Sequence, residues 1–109
     1  MWELMVKGVC VNPGSVRGES RLVSSMEDIE KVCPGDIIVL PDSHPMYALA
    51  VMSASAVICE SGGKLSHICI VSMEMGIPCI TQATGAMNNI SNGQQIYVDA
   101  ERGEVYLVE

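Results

Sequence analysis

Apolar and polar residues change places in short stretches along this chain, and the period of the change differs from one stretch to the next. Residues 4–11 (LMVKGVCV) alternate loosely and predict a first strand, closed by the turn signal Asn12-Pro13-Gly14. Residues 15–24 return to extended character, with Gly18 marking a bulge or a close backbone approach. Residues 27–32 predict one or two helical turns that open on acidic side chains and end at Pro34-Gly35. Residues 36–40 (DIIVL) form an unbroken apolar run, the pattern of a short strand covered on both faces. Residues 46–53 (MYALAVMS) read as helix, with Pro45 suited to its first turn and Ser43 or His44 to its cap. Residues 54–59 (ASAVIC) and 79–81 predict two further strands, and residues 83–89 an irregular helical turn. The turns at Asn92-Gly93 and at residues 100–103 precede strands at 95–99 and 104–108, which form a terminal hairpin.

Between the strands at 54–59 and 79–81 lies Glu60-Ser61-Gly62-Gly63-Lys64-Leu65, then a predicted helix opened by Ser66 and closed by Gly76, with Pro78 beyond. Nearly every side chain between those caps is apolar, so the helix is expected to pack tightly with few faces left for solvent. An ionisable ring, His67, nevertheless stands at its mouth. The first N–H groups of a helix lack intrahelical partners and carry the positive end of its dipole, so an anion is stabilised there. Paired glycines let the backbone approach such an anion closely. The same field favours an uncharged, nucleophilic imidazole over a charged one. A nucleophile beside an anion site suits transient phosphorylation of the ring. The plainer alternative, His67 as part of a helix cap, stays open on this short motif alone.

Length and composition narrow the choice. The 109 residues make one domain, and 49% apolar content is that of a globular chain. With one Trp, three Tyr and no Phe, the core must come from Val, Ile, Leu, Met and Ala. The net charge of −7 and singly scattered basic residues argue against a nucleic-acid partner. No apolar run reaches the length of a membrane span and no signal-peptide pattern opens the chain, so a cytoplasmic location is expected. Cys10, Cys33, Cys59, Cys69 and Cys79 form no CxxC pair, and four of them stand in apolar runs, as buried reduced thiols do. Only two histidines exist, neither at ligand spacing from a cysteine, so no metal site is expected.

The longer pattern Gly62-Gly63-x-x-Ser66-His67-x-x-Ile70-Val71-x-x-Glu74-x-Gly76-Ile77-Pro78 resembles the signature of the phosphohistidine swivelling domain, the mobile domain of phosphoenolpyruvate-utilising enzymes such as pyruvate phosphate dikinase and phosphoenolpyruvate synthase. The resemblance extends from about Gly8 to Val108. It implies an α/β, three-layer β/β/α swivelling fold with a mixed sheet, which the βαβ centre and the flanking hairpins also suggest. It implies that His67 is the phosphorylated residue of a phosphoryl-carrier domain or subunit, with Ser66, Gly62, Gly63 and Lys64 binding the phosphoryl group. It implies no cofactor on this chain itself. Phosphoenolpyruvate, or ATP with Mg, would be handled by nucleotide-binding (ATP-grasp-like) or phosphoenolpyruvate/pyruvate-binding partners, so the chain alone would have no complete catalytic cycle. A start at Met1 favours a freestanding subunit over an excised domain. The chain departs from the family in having Leu65 where many members have Thr, Met73 in place of Arg, and Gln82 at about a glycine position. These departures support the alternative of a non-catalytic regulatory or ligand-binding module on the same fold.

Overall fold

Gly8 divides the first apolar run in two. In the computed structural model, which describes residues 2–108, the run is not one strand but two, β1 (Glu3–Lys7) and β2 (Val9–Asn12). Met1 and Glu109, the ends of the expected 1–109 domain, lie outside the described residues. The elements that follow are β3 (Ser15–Leu22), α1 (Met26–Glu30), β4 (Ile37–Leu40), a 3-10 turn (Pro45–Tyr47) leading into α2 (Ala48–Val51), β5 (Ala56–Cys59), α3 (His67–Met75), β6 (Cys79–Thr81), α4 (Ala86–Asn89), β7 (Gln95–Asp99) and β8 (Glu104–Leu107). The strands run in the order β1-β8-β7-β3-β4-β5-β6-β2, so the two consecutive segments β1 and β2 stand at opposite ends of the sheet.

That order makes sense once the sheet is folded over at β3. Residues Ser15 to Glu19 pair antiparallel with β7, whereas Ser20 to Leu22 pair parallel with β4. One half (β1, β8, β7) is antiparallel; the other has parallel β4, β5 and β6 with β2 antiparallel at its end. The halves face each other across a core that contains Val6, Ile96, Val98 and Val105 from one side and Ile37, Val39, Ile58 and Ile80 from the other. The alternate side chains of the parallel half, Ile38, Leu40, Val57, Cys59 and Cys79, form a second core with Val51 of α2 and with Ile68 and Cys69 of α3. All four residues of β4 and of β5 are buried, which is why both read as unbroken apolar runs. The result is the three-layer β/β/α arrangement with a mixed sheet. Among the described residues, no helix is long and apolar enough to cross a membrane.

The helical turn expected at residues 27–32 is present as α1, one residue earlier at its start. Ser25 caps α1 by accepting from the Asp28 N–H (3.2 Å), while the Asp28 carboxylate accepts from the Ser24 N–H (3.0 Å) and is held below its usual range by that bond. Pairing runs unbroken through Gly18, so this glycine marks a close approach rather than a bulge: a side chain would begin 3.2 Å from the Gly35 carbonyl. Of the cysteines, Cys59, Cys69 and Cys79 are buried, Cys10 is half-buried and Cys33 is exposed. The packing of α3 corrects the expectation. It buries only Ile68, Cys69 and Ser72, and it presents Ile70, Met73 and Met75 to solvent. A uniformly apolar sequence does not reveal which of its faces has a partner.

The crossing at Gly8 is the tightest point of the fold. Its N–H donates to the Gly103 carbonyl (2.8 Å), and a Cβ at Gly8 would meet the Thr81 carbonyl oxygen at 2.5 Å and Ile80 Cγ2 at 2.6 Å. Gly8→Ala is therefore expected to cost about 2–3 kcal/mol of stability, read from the midpoint and slope of urea unfolding. A loss below roughly 0.5 kcal/mol, the range of an ordinary surface change, would show that the crossing has slack.

Candidate functional site

Because β4, β5 and β6 are parallel, the loops that follow them emerge at one edge of the sheet. After β5 comes the stretch Glu60 to Ser66, after β4 the stretch Pro41 to His44, and after β6 the residues from Gln82. The first two loops are tied together. The Glu60 N–H donates to the Leu40 carbonyl (2.8 Å) and the Ser61 hydroxyl to the Pro41 carbonyl (2.9 Å). The buried Thr81 donates its hydroxyl to the Gly62 carbonyl (2.7 Å), which anchors the glycine pair from below.

Gly62 sits at φ 124°, and a Cβ there would lie 2.7 Å from Ser43 Oγ, so both conformation and space exclude a side chain. At Gly63 a Cβ would meet nothing within 4 Å. The space above Gly63 is therefore open, beside the start of α3.

Ser66 holds the N-cap position of α3 with extended backbone, but its hydroxyl does not cap the helix. It donates instead to the Gly63 carbonyl (2.6 Å) and shares a hydrogen bond with the Ser43 hydroxyl (2.9 Å). The expected cap is thus right in position and wrong in chemistry. The consequence lies in the backbone. Among the described residues, the N–H groups of Gly62, Gly63, His67, Ile68 and Cys69 donate to no protein acceptor. His67 is the first helical residue and is exposed, as is Lys64 in the loop before it. At the far end Gly76 takes the left-handed C-cap conformation (φ 70°), as its position predicts.

Beneath the loop, Cys59, Cys69 and Cys79 come together in the core between sheet and helices. Hydrogen bonding among the three thiols holds Cys69 below the usual thiol range and pushes Cys59 and Cys79 above it. Ser43 Oγ stands 3.9 Å from Cys59 Sγ, which joins this cluster to the loop. Among the described residues no group of three or more His, Cys, Asp or Glu side chains is arranged to hold a metal ion.

The structure brings Gly62, Gly63, Lys64, Ser66 and His67 to one exposed junction of loop and helix. It adds two residues that sequence reasoning missed, Ser43 and Thr81. Ser43 was signalled only by the turn-like Asp42-Ser43-His44-Pro45, and Thr81 by nothing local, since its partner is 19 positions away. His44 is an exposed loop residue whose Nδ1 accepts from the Met46 N–H (3.0 Å), so it, rather than Ser43, caps the following turn. Glu74 is also exposed on α3. The three departures noted above have distinct structural meanings. Leu65 and Met73 are solvent-facing, at 81% and 38% exposure, and Gln82 is the one non-glycine residue with positive φ (55°) among those described.

Comparison with known proteins gives a consistent set of likenesses. The sequence profile described as "PEP-utilising enzyme, mobile domain" matches residues 32–103. Phosphoenolpyruvate synthase of Pyrococcus furiosus is 36% identical over 104 residues, which are 95% of this chain and 13% of that protein. The chain therefore spans only a small part of the length of that relative. In three dimensions the chain is similar to aconitase X of Thermococcus kodakaraensis (TM-score 0.72, 16% identity, 95% of this chain and 98% of that one). It is also similar to a solution structure of Enzyme I (TM-score 0.61, 17% identity, 72% of this chain and 33% of that one).

The left-handed Gln82 yields a test of the reading of that position. A non-glycine residue there carries a steric cost that glycine does not. Gln82→Gly is expected to raise stability by about 0.5–1 kcal/mol, seen as a higher thermal midpoint. A lower midpoint would mean that the Gln82 side chain contributes more than its backbone strain costs.

Proposed function

We propose that this chain, which belongs to the family of PEP-utilising enzyme mobile domains, is a phosphoryl carrier that takes a phosphoryl group onto His67 from one active site and delivers it at another. The observation that carries the proposal is the uncapped start of α3. Backbone N–H groups of the loop and first turn, those of Gly62, Gly63, His67, Ile68 and Cys69 among them, are without acceptors, and an exposed imidazole is the first helical residue beside them. A phosphoryl group on that ring would find these donors, the helix dipole and the Lys64 ammonium around its oxygens.

The chemistry balances without a group on this chain beyond its own side chains. The lone pair of a neutral His67 ring nitrogen attacks phosphorus, and the bond from phosphorus to the leaving oxygen breaks. With phosphoenolpyruvate as donor, the enolate that leaves takes up a proton to become pyruvate, and the other ring nitrogen sheds one. Ser66 lies close enough to the loop to turn its hydroxyl toward a phosphoryl oxygen, exchanging its bond to the Gly63 carbonyl. Gly62 and Gly63 keep the approach free of side chains. Phosphoenolpyruvate, or ATP with Mg, would be bound by partner domains: an ATP-grasp-like nucleotide-binding module, a phosphoenolpyruvate/pyruvate-binding module, or both. The proposed setting is the cytoplasm, consistent with free and buried Cys59, Cys69 and Cys79.

A second reading, a regulatory or ligand-binding module that uses the helix mouth without covalent chemistry, is favoured by one observation. The likeness to aconitase X covers nearly the whole of both chains, so this fold also serves a protein that is not named as a phosphotransferase.

The test is intact-mass analysis after incubation with phosphoramidate, a small phosphoryl donor that needs no partner, and separately with phosphoenolpyruvate and Pyrococcus furiosus phosphoenolpyruvate synthase. One phosphoryl group is expected, acid-labile and base-stable, and absent in His67→Ala. A chain that stays unmodified by both donors, while inorganic phosphate shifts the amide resonances of Ile68 and Cys69, would establish the ligand-binding reading instead.

A further inference from the structure

Three of the five cysteines meet in one place, although nothing in their spacing pairs them. Cys59 ends β5, Cys79 begins β6, and Cys69 lies in the first turn of α3, two residues after His67. All three are fully buried in the core between the parallel strands and the helices. Their surroundings tie them to the loop above. Ser43 Oγ stands 3.9 Å from Cys59 Sγ, and the Cys69 thiol has hydrogen bonds with Cys59, Cys79 and the hydroxyls of Ser66 and Thr81. Those two hydroxyls are the ones that hold the Gly63 and Gly62 carbonyls. The carrier chemistry uses none of these thiols, and packing at a core position asks only for a small apolar group.

We infer that the three thiols form an oxidisable site, in which Cys69 closes a disulfide with Cys59 or Cys79 and thereby displaces the start of α3. The sheet decides the pairing. Val57 is level with Cys79 in the parallel pair, so Cys59 and Cys79 are one strand apart and two residues out of step. That offset separates their Cα atoms by about 8 Å, beyond the roughly 7 Å that a disulfide spans. Cys69, which meets both from the helix side, is therefore one half of any bridge. It is also the thiol best able to react. Hydrogen bonds from Cys59 and Cys79 hold it below the usual thiol range, and its place in the first helical turn favours the thiolate further. On the loop side its cover is Ser66 and the glycine pair, and the co-reactant is a small hydroperoxide. The Cys69 thiolate attacks a peroxide oxygen, the O–O bond breaks, and the departing oxygen takes up a proton. The neighbouring thiol then attacks the sulfenic sulfur, the S–O bond breaks and water leaves, so two thiols are oxidised for one peroxide reduced. In a reducing compartment such a bridge is transient, which is the property of a sensor. Closing it replaces a non-bonded separation of roughly 4 Å with a bond of about 2 Å. The first turn of α3 has to move toward the strands, and the N–H groups of His67, Ile68 and Cys69 leave their arrangement with the Gly62-Gly63 loop. The disulfide stands apart from the carrier reading; only its effect on phosphorylation rests on that reading.

Oxidation is tested on the Cys33→Ser chain, which takes the exposed thiol out of side reactions. The chain is treated with hydrogen peroxide, then catalase, then unfolded, and its free thiols are counted by maleimide labelling and intact mass. The five cysteines less Cys33 give four labels before treatment; two are expected after it, and dithiothreitol restores the rest. Trypsin cuts after Lys31, Lys64 and Arg102, so a Cys59–Cys69 bridge joins peptides 32–64 and 65–102, whereas a Cys69–Cys79 bridge lies within the second. Cys69→Ala in the same background, with folding checked by its thermal midpoint, should keep all its labels. Oxidation should also shift the amide resonances of Ile68 and Cys69 and slow phosphoramidate labelling of His67 roughly tenfold or more, both reversed by dithiothreitol. An unchanged label count, or a bridge that leaves Cys69 free, overturns the inference. A bridge that moves neither the amides nor the labelling rate overturns the displacement of α3. If phosphoramidate labels neither the reduced nor the oxidised chain, the carrier reading falls, and the thiol count and amide shifts still decide the disulfide.

Discussion

Three short parallel strands, β4, β5 and β6, are buried on both faces, and most of what matters in this molecule follows from that burial. A strand with no solvent side is apolar except where a buried polar group finds a partner, as Thr81 at the end of β6 does in the Gly62 carbonyl. Parallel strands also release their chain at the same edge, so the polar residues excluded from them gather there. The loop after β5 supplies the glycine pair and the histidine, the loop after β4 supplies Ser43, and Thr81, the last residue of β6, anchors the glycines. The remaining layers keep those strands covered: one antiparallel half-sheet on one face, α2 and α3 on the other.

At that edge one hydroxyl decides the electrostatics. Serine at a helix N-cap usually accepts from the backbone of the first turn and so neutralises part of the helix's positive end. Here Ser66 is drawn away by the Gly63 carbonyl and by Ser43, and the positive end is left open to the outside. The arrangement forgoes about 1 kcal/mol of capping in exchange for a site at which an anion finds ready donors. Helix stability must then come from the buried side, where Ile68 and Cys69 pack against the sheet.

How much of this was legible in the sequence depended on how local the cause was. Strands β4 and β5, the histidine helix with its Gly76 cap, the Asn92-Gly93 turn and the terminal hairpin are written in adjacent residues, and the structure has them at those places. The glycine pair and His67 are likewise contiguous, so their proximity needed no tertiary knowledge. What was missed acts at a distance. Gly8 breaks a strand because Thr81, Ile80 and Gly103 crowd it, residues more than seventy positions away. Ser43 and Thr81 reach the loop across 23 and 19 positions. The outward face of α3 was misjudged because hydrophobicity without period does not say where the partner is. Gln82 was noticed through its departure from a glycine, and its positive φ supplies the physical meaning.

The crossing at Gly8 also governs how the domain can transmit motion. The chain passes there from one half of the sheet to the other, β3 bridges the halves through its own bend, and segments 13–14 and 82–94 cross as well, so the layers are joined covalently at four separate points. Hinging or sliding of one half over the other would have to strain all of these connections. A body joined in this way is stiff between its layers, and it holds His67 and the backbone N–H groups around the start of α3 in one fixed arrangement.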